Sequence, residues 1–288
     1  MAQVAAQLGM PLMSWQRQVI DTALELDPTT GRLAYREVGL TVPRQSGKSS
    51  LILATAVHRA LAFGKRQNIS YAAQTRNDAR KKWEDDHIVL LEGSPLRKLF
   101  RVRKTNGNEA ILWRNGSQHG IVANTEKSGH GGTLDLAFVD EAFAQVDNRL
   151  EQAFKPAMVT RQNAQMWVVS TAGTDASVYL KAKIARGRER VEQDARTGVA
   201  YFEWSAPDEA DPRDEATWWA CMPAVGPEGL RQVGGVRAAG HEPGLGHVGP
   251  AVLDRHQGVV EPGEPALHRD AALPLGDFGQ EAVHLRLG

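Results

Sequence analysis

The sequence has a single cysteine, Cys221, in 288 residues. One cysteine excludes an intramolecular disulfide framework and a cysteine-based zinc cluster, and it favours a reducing compartment. No uninterrupted apolar stretch approaches the roughly 20 residues that a membrane-spanning helix requires. The N-terminus lacks the basic segment that begins a signal peptide. We therefore expect a soluble intracellular protein with no membrane partner.

The formal net charge is zero, because 34 Lys and Arg balance 34 Asp and Glu. This argues against a protein whose whole surface attracts nucleic acid, but it allows local basic patches. Two basic clusters lie at residues 76–82 and 97–104. They are candidates for contacts with DNA phosphates, and a solvated face explains them at least as well.

The C-terminal stretch from Arg231 to Gly288 lacks nine residue types. It contains no Lys, Ser, Thr, Asn, Ile, Tyr, Trp, Met or Cys, yet it holds 11 of the 28 glycines and 5 of the 9 histidines. Few β-branched or aromatic side chains can form a core there. We expect a disordered tail at residues 227–288, and we hypothesise that a reading-frame shift near Gly226 to Leu230 in a GC-rich gene produced it.

Residues 1–226 alternate short apolar runs with amphipathic ones, which predicts an α/β domain with a mainly parallel sheet flanked by helices. The predicted strands are Glu37 to Val42, Asn68 to Ala73, Leu134 to Val139, Gln165 to Ser170 and Val199 to Trp204. Predicted helices span Ser49 to Phe63 and Thr75 to Leu91, and another begins at a Ser14 cap with Trp15, Val19, Ala23 and Leu26 on one face. Asn115-Gly116 indicates a hairpin inserted antiparallel in the sheet.

The segment VPRQSGKSS at residues 42–50 follows a predicted strand and opens a predicted helix. It ends like the phosphate-loop motif G-x-x-x-x-G-K-[ST], with Gly47, Lys48 and Ser49, whereas Val42 stands in the place of the first glycine. Backbone N–H groups around Gly47 would then bind phosphate, Lys48 would reach the β and γ phosphates, and Ser49 would ligate Mg²⁺. A plain polar start of a helix is the alternative.

Two carboxylates follow the apolar run in LDLAFVDEAF. Asp140 and Glu141 therefore leave the carboxyl end of a buried strand, where ligands bind to open α/β sheets. Asp140 is predicted to hold the Mg²⁺ shell, and Glu141 is predicted to polarise the attacking water. A pair of solvated loop acids is the alternative, which the preceding strand disfavours.

Two further segments are candidate parts of the same nucleotide site. The turn at Ser170, Thr171, Ala172 and Gly173 follows a strand and could sense the γ-phosphate, although an ordinary Ser/Thr-Gly turn is equally compatible with it. In MSWQRQVID, Gln16 could pair with the edge of adenine and Trp15 could offer a stacking face. Core packing alone also explains a Trp-Gln pair on an amphipathic helix.

Together these segments resemble the ATPase domain of the large terminase subunit of tailed bacteriophages. The stretches that carry the resemblance cover roughly residues 10–226 and read PLMSWQRQVIDTALEL, EVGLTVPRQSGKSS, ISYAAQTRNDARKKW, LWRNGSQHGIVANTEKSGHGGTLDLAFVDEAF, WVVSTAGT and AYFEWSAPDEADPRDEATWWACMPAVG. The family tolerates a phosphate loop without its first glycine and typically places an arginine there. The resemblance implies a RecA-like P-loop ATPase of the ASCE type.

The resemblance also implies roles for individual residues. It makes Trp15 and Gln16 the adenine-side motif, Asp140 the Walker B residue, Glu141 the catalytic carboxylate, and residues 170–173 the coupling motif. The Walker A loop would comprise Arg44, Gln45, Ser46, Gly47, Lys48, Ser49 and Ser50. Arg44 becomes the candidate arginine finger, acting either within its own chain or after donation by a neighbouring subunit.

The implied function is Mg²⁺-dependent ATP hydrolysis that packages viral double-stranded DNA into a procapsid in the host bacterial cytoplasm. The implied partners are DNA, a portal protein, a small terminase subunit and further copies in a ring. This family continues into an RNase H-like nuclease, but the tail aspartates Asp254, Asp270 and Asp277 follow no β-like run, so we expect no nuclease metal cluster. The alternatives are another P-loop ATPase acting on nucleic acid and a non-catalytic prophage remnant that binds nucleotide.

Overall fold

An eight-stranded sheet organises the part of the chain that the structure, a computed structural model, describes: residues 1–122, 132–207, 209–211 and 213–225. The strands are β1 (Tyr35–Thr41), β2 (Asn68–Ala72), β3 (Phe100–Arg103), β4 (Ala110–Trp113), β5 (Gln118–Ile121), β6 (Leu136–Asp140), β7 (Gln165–Ser170) and β8 (Gly198–Glu203). Their spatial order is β3-β4-β5-β2-β6-β7-β1-β8. All neighbouring pairs from β5 to β8 are parallel, and β4 pairs antiparallel with both β3 and β5.

Helical segments connect these strands. The α-helices are α1 (Ala2–Gln7), α2 (Ser14–Ala23), α3 (Lys48–Ala62), α4 (Arg76–Lys82), α5 (Val89–Glu92), α6 (Arg149–Met158), α7 (Val178–Glu192) and α8 (Glu215–Cys221). A π-helix, Trp83–Ile88, joins α4 to α5, and 3₁₀ turns form at Pro95–Leu99 and Ala142–Ala144. None of the helices in the described residues is long and apolar enough to cross a membrane.

The sheet separates two apolar cores, because successive side chains on a strand point to opposite faces. Along β6, Leu136 and Phe138 join the core that contains α2 and α3. Ala137 and Val139 join the core that contains α6 and α7. This arrangement leaves the carboxyl ends of the parallel strands as the edge at which loops from both sides meet.

The predicted strands are confirmed to within two residues at each end, and so is the α/β class with a mainly parallel sheet. The Asn115-Gly116 hairpin is confirmed as well: β4 and β5 pair antiparallel, and Gly116 has φ 84°, a left-handed value suited to glycine. The sheet contains one strand that the sequence did not predict, β3, at one of its edges.

Helix predictions needed more correction. Ser14 is the first residue of α2 rather than its cap, which is Met13. Leu26 lies beyond the end of α2 and is 43% exposed, so its predicted place on the apolar helix face was wrong. The single helix predicted from Thr75 to Leu91 is divided by the π-helix, although Thr75 caps it by accepting a hydrogen bond from the backbone N–H of Asp78. The predicted tail, with its three aspartates, lies outside the described residues.

Candidate active site

The phosphate-loop segment forms the connection between β1 and α3. Gly47 precedes the helix in a left-handed conformation, with φ 90°, and a Cβ atom there would approach the Gln16 amide nitrogen to 2.8 Å. Gln45 also has a positive φ, 61°. Because left-handed backbone is costly for residues other than glycine, such strain is typical of a loop shaped for a ligand. The fifteen-residue helix α3 directs its N-terminal N–H groups into this loop.

Side chains of the loop differ in exposure. Arg44 and Gln45 are exposed, whereas the Ser46 side chain is buried and its hydroxyl has no hydrogen-bond partner among the described residues. Lys48 directs its ammonium back toward the loop, 3.4 Å from the Pro43 carbonyl oxygen. A buried hydroxyl without a partner is unusual in a folded protein, and a bound group could satisfy it.

The two N-terminal residues predicted to face adenine have different surroundings. The Gln16 amide is buried and donates to the Gly47 carbonyl at 2.9 Å and to the Ser50 hydroxyl at 3.3 Å. Trp15 is buried edge-on against Trp204, with ring centroids 5.4 Å apart. Gln16 therefore ties α2 to the phosphate loop, and the adenine contacts of both residues stay a prediction.

The predicted Walker B carboxylates lie at the end of β6, two strands away from β1 in the sheet. Asp140 is buried; its Oδ2 atom accepts from the Tyr71 hydroxyl at 2.7 Å, and its Oδ1 atom accepts from the Glu141 N–H at 2.9 Å. Glu141 has left-handed backbone, with φ 55° and ψ 45°. This conformation turns the chain directly after the strand.

One lysine joins these carboxylates. The Lys82 ammonium, at the end of α4, lies 3.1 Å from Asp140 Oδ2 and 2.7 Å from Glu141 Oε1. The sequence assigned Lys82 only to a basic cluster, and Tyr71 only to a strand. Nothing in either local pattern indicates these contacts, because both depend on side chains more than fifty residues away in sequence.

Lys48 lies at the same end of the sheet as these carboxylates, because β1 and β6 run parallel with only β7 between them. Burial lowers the pKa of Lys48, and the charges of Asp140 and Glu141 partly oppose this shift. Burial would also lower the pKa of Lys82, but the two carboxylates and their hydrogen bonds raise it above its ordinary value. The chain thus brings Lys48, Asp140, Glu141 and Lys82 into one electrostatically coupled group, although Lys48 and Asp140 are 92 positions apart.

The predicted coupling motif lies between the two halves of this site, because β7 separates β1 from β6. The Ser170 hydroxyl accepts a hydrogen bond from the Phe143 N–H at 3.0 Å, and the Ser170 carbonyl accepts one from the Val42 N–H at 3.0 Å. The Ser177 hydroxyl donates to the Phe143 carbonyl at 2.8 Å. Ser170 is therefore bonded both to the segment after Glu141 and to the start of the phosphate loop.

The chemistry of the residues present fits Mg²⁺ with a nucleotide triphosphate. The Ser49 hydroxyl and the Asp140 carboxylate are hard oxygen donors of the kind that Mg²⁺ prefers, and the ion usually binds with one or two carboxylates and substrate phosphates. Within the described ranges, no cluster of three or more His, Cys, Asp or Glu side chains could hold a metal by itself.

The basic residues at 76–82 pair mostly with acidic side chains of the same chain. Arg76 and Arg80 both pair with the buried Glu109, at 2.5 and 3.6 Å, and Lys82 pairs with Asp140 and Glu141. These contacts account for three of the four positive charges of α4 without DNA, and Lys81 is exposed. His87 and His119 are buried packing residues with ring centroids 5.3 Å apart, and burial lowers the pKa of His87 to about 3.

Comparisons with known proteins find one family model and several solved structures that are similar to this chain. A model of the family "Terminase large subunit, T4likevirus-type, N-terminal" matches residues 40–197. The crystal structure of the large terminase of bacteriophage HK97 is 21% identical, with a TM-score of 0.63, over 77% of this chain and 47% of that chain. A large terminase from a thermophilic bacteriophage is 13% identical, with a TM-score of 0.50, over 74% of this chain and 52% of that chain.

These structural likenesses confirm the predicted RecA-like fold. The chain spans about half the length of either terminase. No curated protein matches the sequence.

Proposed function

Because this chain belongs to the family of T4likevirus-type terminase large subunits, whose N-terminal model it matches, we propose that it hydrolyses ATP to drive double-stranded DNA into a procapsid. One observation carries the proposal: the Lys48 loop follows the carboxyl end of β1, and Asp140 and Glu141 lie at the carboxyl end of β6, two parallel strands separated only by β7. A helix N-terminus with a lysine binds phosphates, and adjacent carboxylates can serve a metal and a nucleophile.

The roles of the binding residues follow from their positions. The N–H groups that begin α3 and the Lys48 ammonium would bind the β and γ phosphates, and the unsatisfied Ser46 hydroxyl would gain a partner there. Ser49 and Asp140 would hold Mg²⁺, which neutralises charge on the transferred phosphoryl group. Trp15 and Gln16 would lie on the adenine side, with Gln16 acting through its bonds to Gly47 and Ser50.

Glu141 would orient the attacking water and polarise its O–H bond. Its left-handed backbone directs the residue away from the line of β6, and its side chain is 28% exposed. Arg44 is exposed on the loop, so its guanidinium is free to approach the γ-phosphate and stabilise transition-state charge. A neighbouring copy in a ring is the alternative source of such an arginine.

Loss of the γ-phosphate would then be passed on through residues 170–173. The Ser170 side chain contacts the segment after Glu141, and its carbonyl contacts the loop strand, so a movement of either alters the other. We assign this ATPase unit to residues 1–226. Its proposed partners are DNA, a portal protein and a small terminase subunit.

Glu141→Gln tests the proposed hydrolysis most directly. Gln keeps the shape of the side chain but cannot act as a base, so we expect steady-state ATP turnover with Mg²⁺ to fall about a hundredfold or more. Nucleotide affinity should remain near that of the parent. Glu84→Gln is the matched control, because Glu84 pairs with Arg80, whereas Glu141 pairs with Lys82. Equal background rates in all three proteins would instead indicate a nucleotide-binding remnant without turnover.

A further inference from the structure

Lys82 has no assigned role in the proposed hydrolysis, although it contacts both carboxylates. Its ammonium bridges Asp140 and Glu141, and its side chain is 28% exposed. The same Asp140 Oδ2 atom accepts the Tyr71 hydroxyl, and Asp140 Oδ1 accepts a backbone N–H. Lys82 is thus the cationic member of a hydrogen-bond network that fixes both carboxylates.

Buried neighbours fix the backbone at Lys82. Lys82 ends α4, and the π-helix that follows anchors the backbone through two fully buried side chains, Trp83 and His87. Interruptions of this kind occur often at functional sites, because the wider turn changes the direction of the neighbouring side chains. Arg76 and Arg80, earlier on the same helix, face Glu109 instead.

An ammonium on Asp140 has two opposite consequences for an ATPase. It makes the site less negative, so it opposes entry of a divalent cation at the same carboxylate. It also fixes the Glu141 carboxylate with a charge-assisted hydrogen bond, and a fixed nucleophile-orienting group reacts faster than a mobile one. A side chain that only supported the fold would not produce opposite effects on metal affinity and turnover.

We propose that Lys82 is a positioning residue of this site: it orients Glu141 for hydrolysis and competes with Mg²⁺ for Asp140. This inference rests on the proposed ATPase function. Lys82 would then keep its contact with Glu141 and loosen its contact with Asp140 once that carboxylate served as a metal ligand.

Lys82→Met tests the proposal in the full chain, because Met keeps the apolar stem and removes the charge. The first readout is the Mg²⁺ concentration that gives half-maximal thermal stabilisation at a fixed concentration of a non-hydrolysable ATP analogue. We expect this concentration to fall several-fold, since a competing cation is gone. The second readout is kcat at saturating Mg²⁺ and ATP, which should fall about tenfold or more.

Two further variants complete the design. Lys81→Met removes a neighbouring exposed lysine and should match the parent in both readouts. Lys82→Gln also removes the charge but keeps a hydrogen-bond donor, so it should show the same gain in Mg²⁺ affinity with a smaller loss of kcat. It carries the test if Lys82→Met does not unfold cooperatively.

Each result has a definite meaning. An unchanged or higher Mg²⁺ requirement in the neutral variants overturns the role of Lys82, even where the parent hydrolyses ATP. A parent that gains no Mg²⁺-dependent stability from the analogue overturns the proposed function itself, and this inference with it.

Discussion

Two groups of paired charges lie near opposite ends of the parallel strands, and they are built differently. Near the amino end of β1, Glu37 pairs with Lys183 at 2.8 Å and with Lys155 at 3.3 Å. Glu151 pairs with the same two lysines, at 2.5 Å from Lys183. We refer to these four residues, Glu37, Glu151, Lys155 and Lys183, as the basal cluster. Each of its acids has at least two cationic partners. Glu37 lies on β1, Glu151 and Lys155 lie on α6, and Lys183 lies on α7.

The group at the carboxyl ends consists of Lys48, Lys82, Asp140 and Glu141, and we refer to it as the rim cluster. Here two of the three positive-φ residues other than glycine in the described chain, Gln45 and Glu141, lie in or beside the cluster. Ser46 nearby has an unsatisfied buried hydroxyl. The basal cluster satisfies its own charges, whereas the rim retains strain and unused bonding capacity. A bound ligand could complete a loop with such strain and such an unmet hydroxyl.

Lys48→Met should separate function from stability at the rim and gives the largest expected effect. ATP turnover should fall about a hundredfold or more, because the phosphates lose a charged contact that strengthens in the transition state. The free energy of unfolding should stay level or rise, since burial disfavours the Lys48 ammonium in the folded chain. Turnover assays and chemical denaturation measure the two quantities. Lys65→Met, in an exposed position, is the control, and parent-like turnover of Lys48→Met would contradict the assignment.

In the basal cluster, Lys183→Met should lower the free energy of unfolding and leave ATP turnover nearly unchanged. It removes a shared partner of Glu37 and Glu151 while Lys155 remains, so we expect a loss of about 2 kcal/mol in the free energy of unfolding. Turnover should stay within about twofold of the parent. Lys181→Met on the same helix, paired only with an exposed Asp175, should change stability by less than about 0.5 kcal/mol.

We also expect Lys183→Met to change how the free energy of unfolding depends on pH. Burial would raise the pKa of Glu151, but hydrogen bonds and charges from Lys155 and Lys183 lower it below its ordinary value. A lowered folded-state pKa means that this stabilisation is fully present above the unfolded-state value and is lost as the pH falls toward the folded-state value. Lys183→Met should therefore weaken the loss of stability below about pH 4.5. An unchanged pH profile would show that Lys155 alone sets the shift.

The two clusters also differ in how far the sequence predicts them. Local patterns suffice for the strands, because apolar runs end at polar or glycine residues, and for the hairpin, because Gly116 adopts the backbone that its turn needs. Local patterns fail for β3, whose FRVR sequence alternates arginines with apolar residues and was interpreted only as basic. They also fail for the end of α2, where the apolar period continues to Leu26 but the helix does not.

In the rim, sequence identified the residues whose neighbours form a motif and missed those whose partners are distant. Lys48 follows a glycine, and Asp140 follows a strand, so each carries its own signal. Lys82 and Tyr71 acquire their roles only when α4 and β2 come beside β6, which no local spacing reveals. The basal cluster was not predicted at all for the same reason: its four members lie on three separate elements.

Ser46→Ala gives the smallest expected change and tests the difference between the clusters at a single atom. Removing a buried hydroxyl that lacks a partner leaves no bonded group behind, so the free energy of unfolding should stay within about 0.5 kcal/mol of the parent. Affinity for Mg²⁺ with ATP should fall several-fold, since a phosphate oxygen or its water loses a donor. Ser50→Ala is the matched variant, because the Ser50 hydroxyl donates to the Gly47 carbonyl at 2.7 Å and accepts from Gln16. It should lose about 1 kcal/mol of stability. If Ser46→Ala loses as much stability as Ser50→Ala, the Ser46 hydroxyl is already satisfied in the free protein, and the rim is then no less complete at this position than the basal cluster.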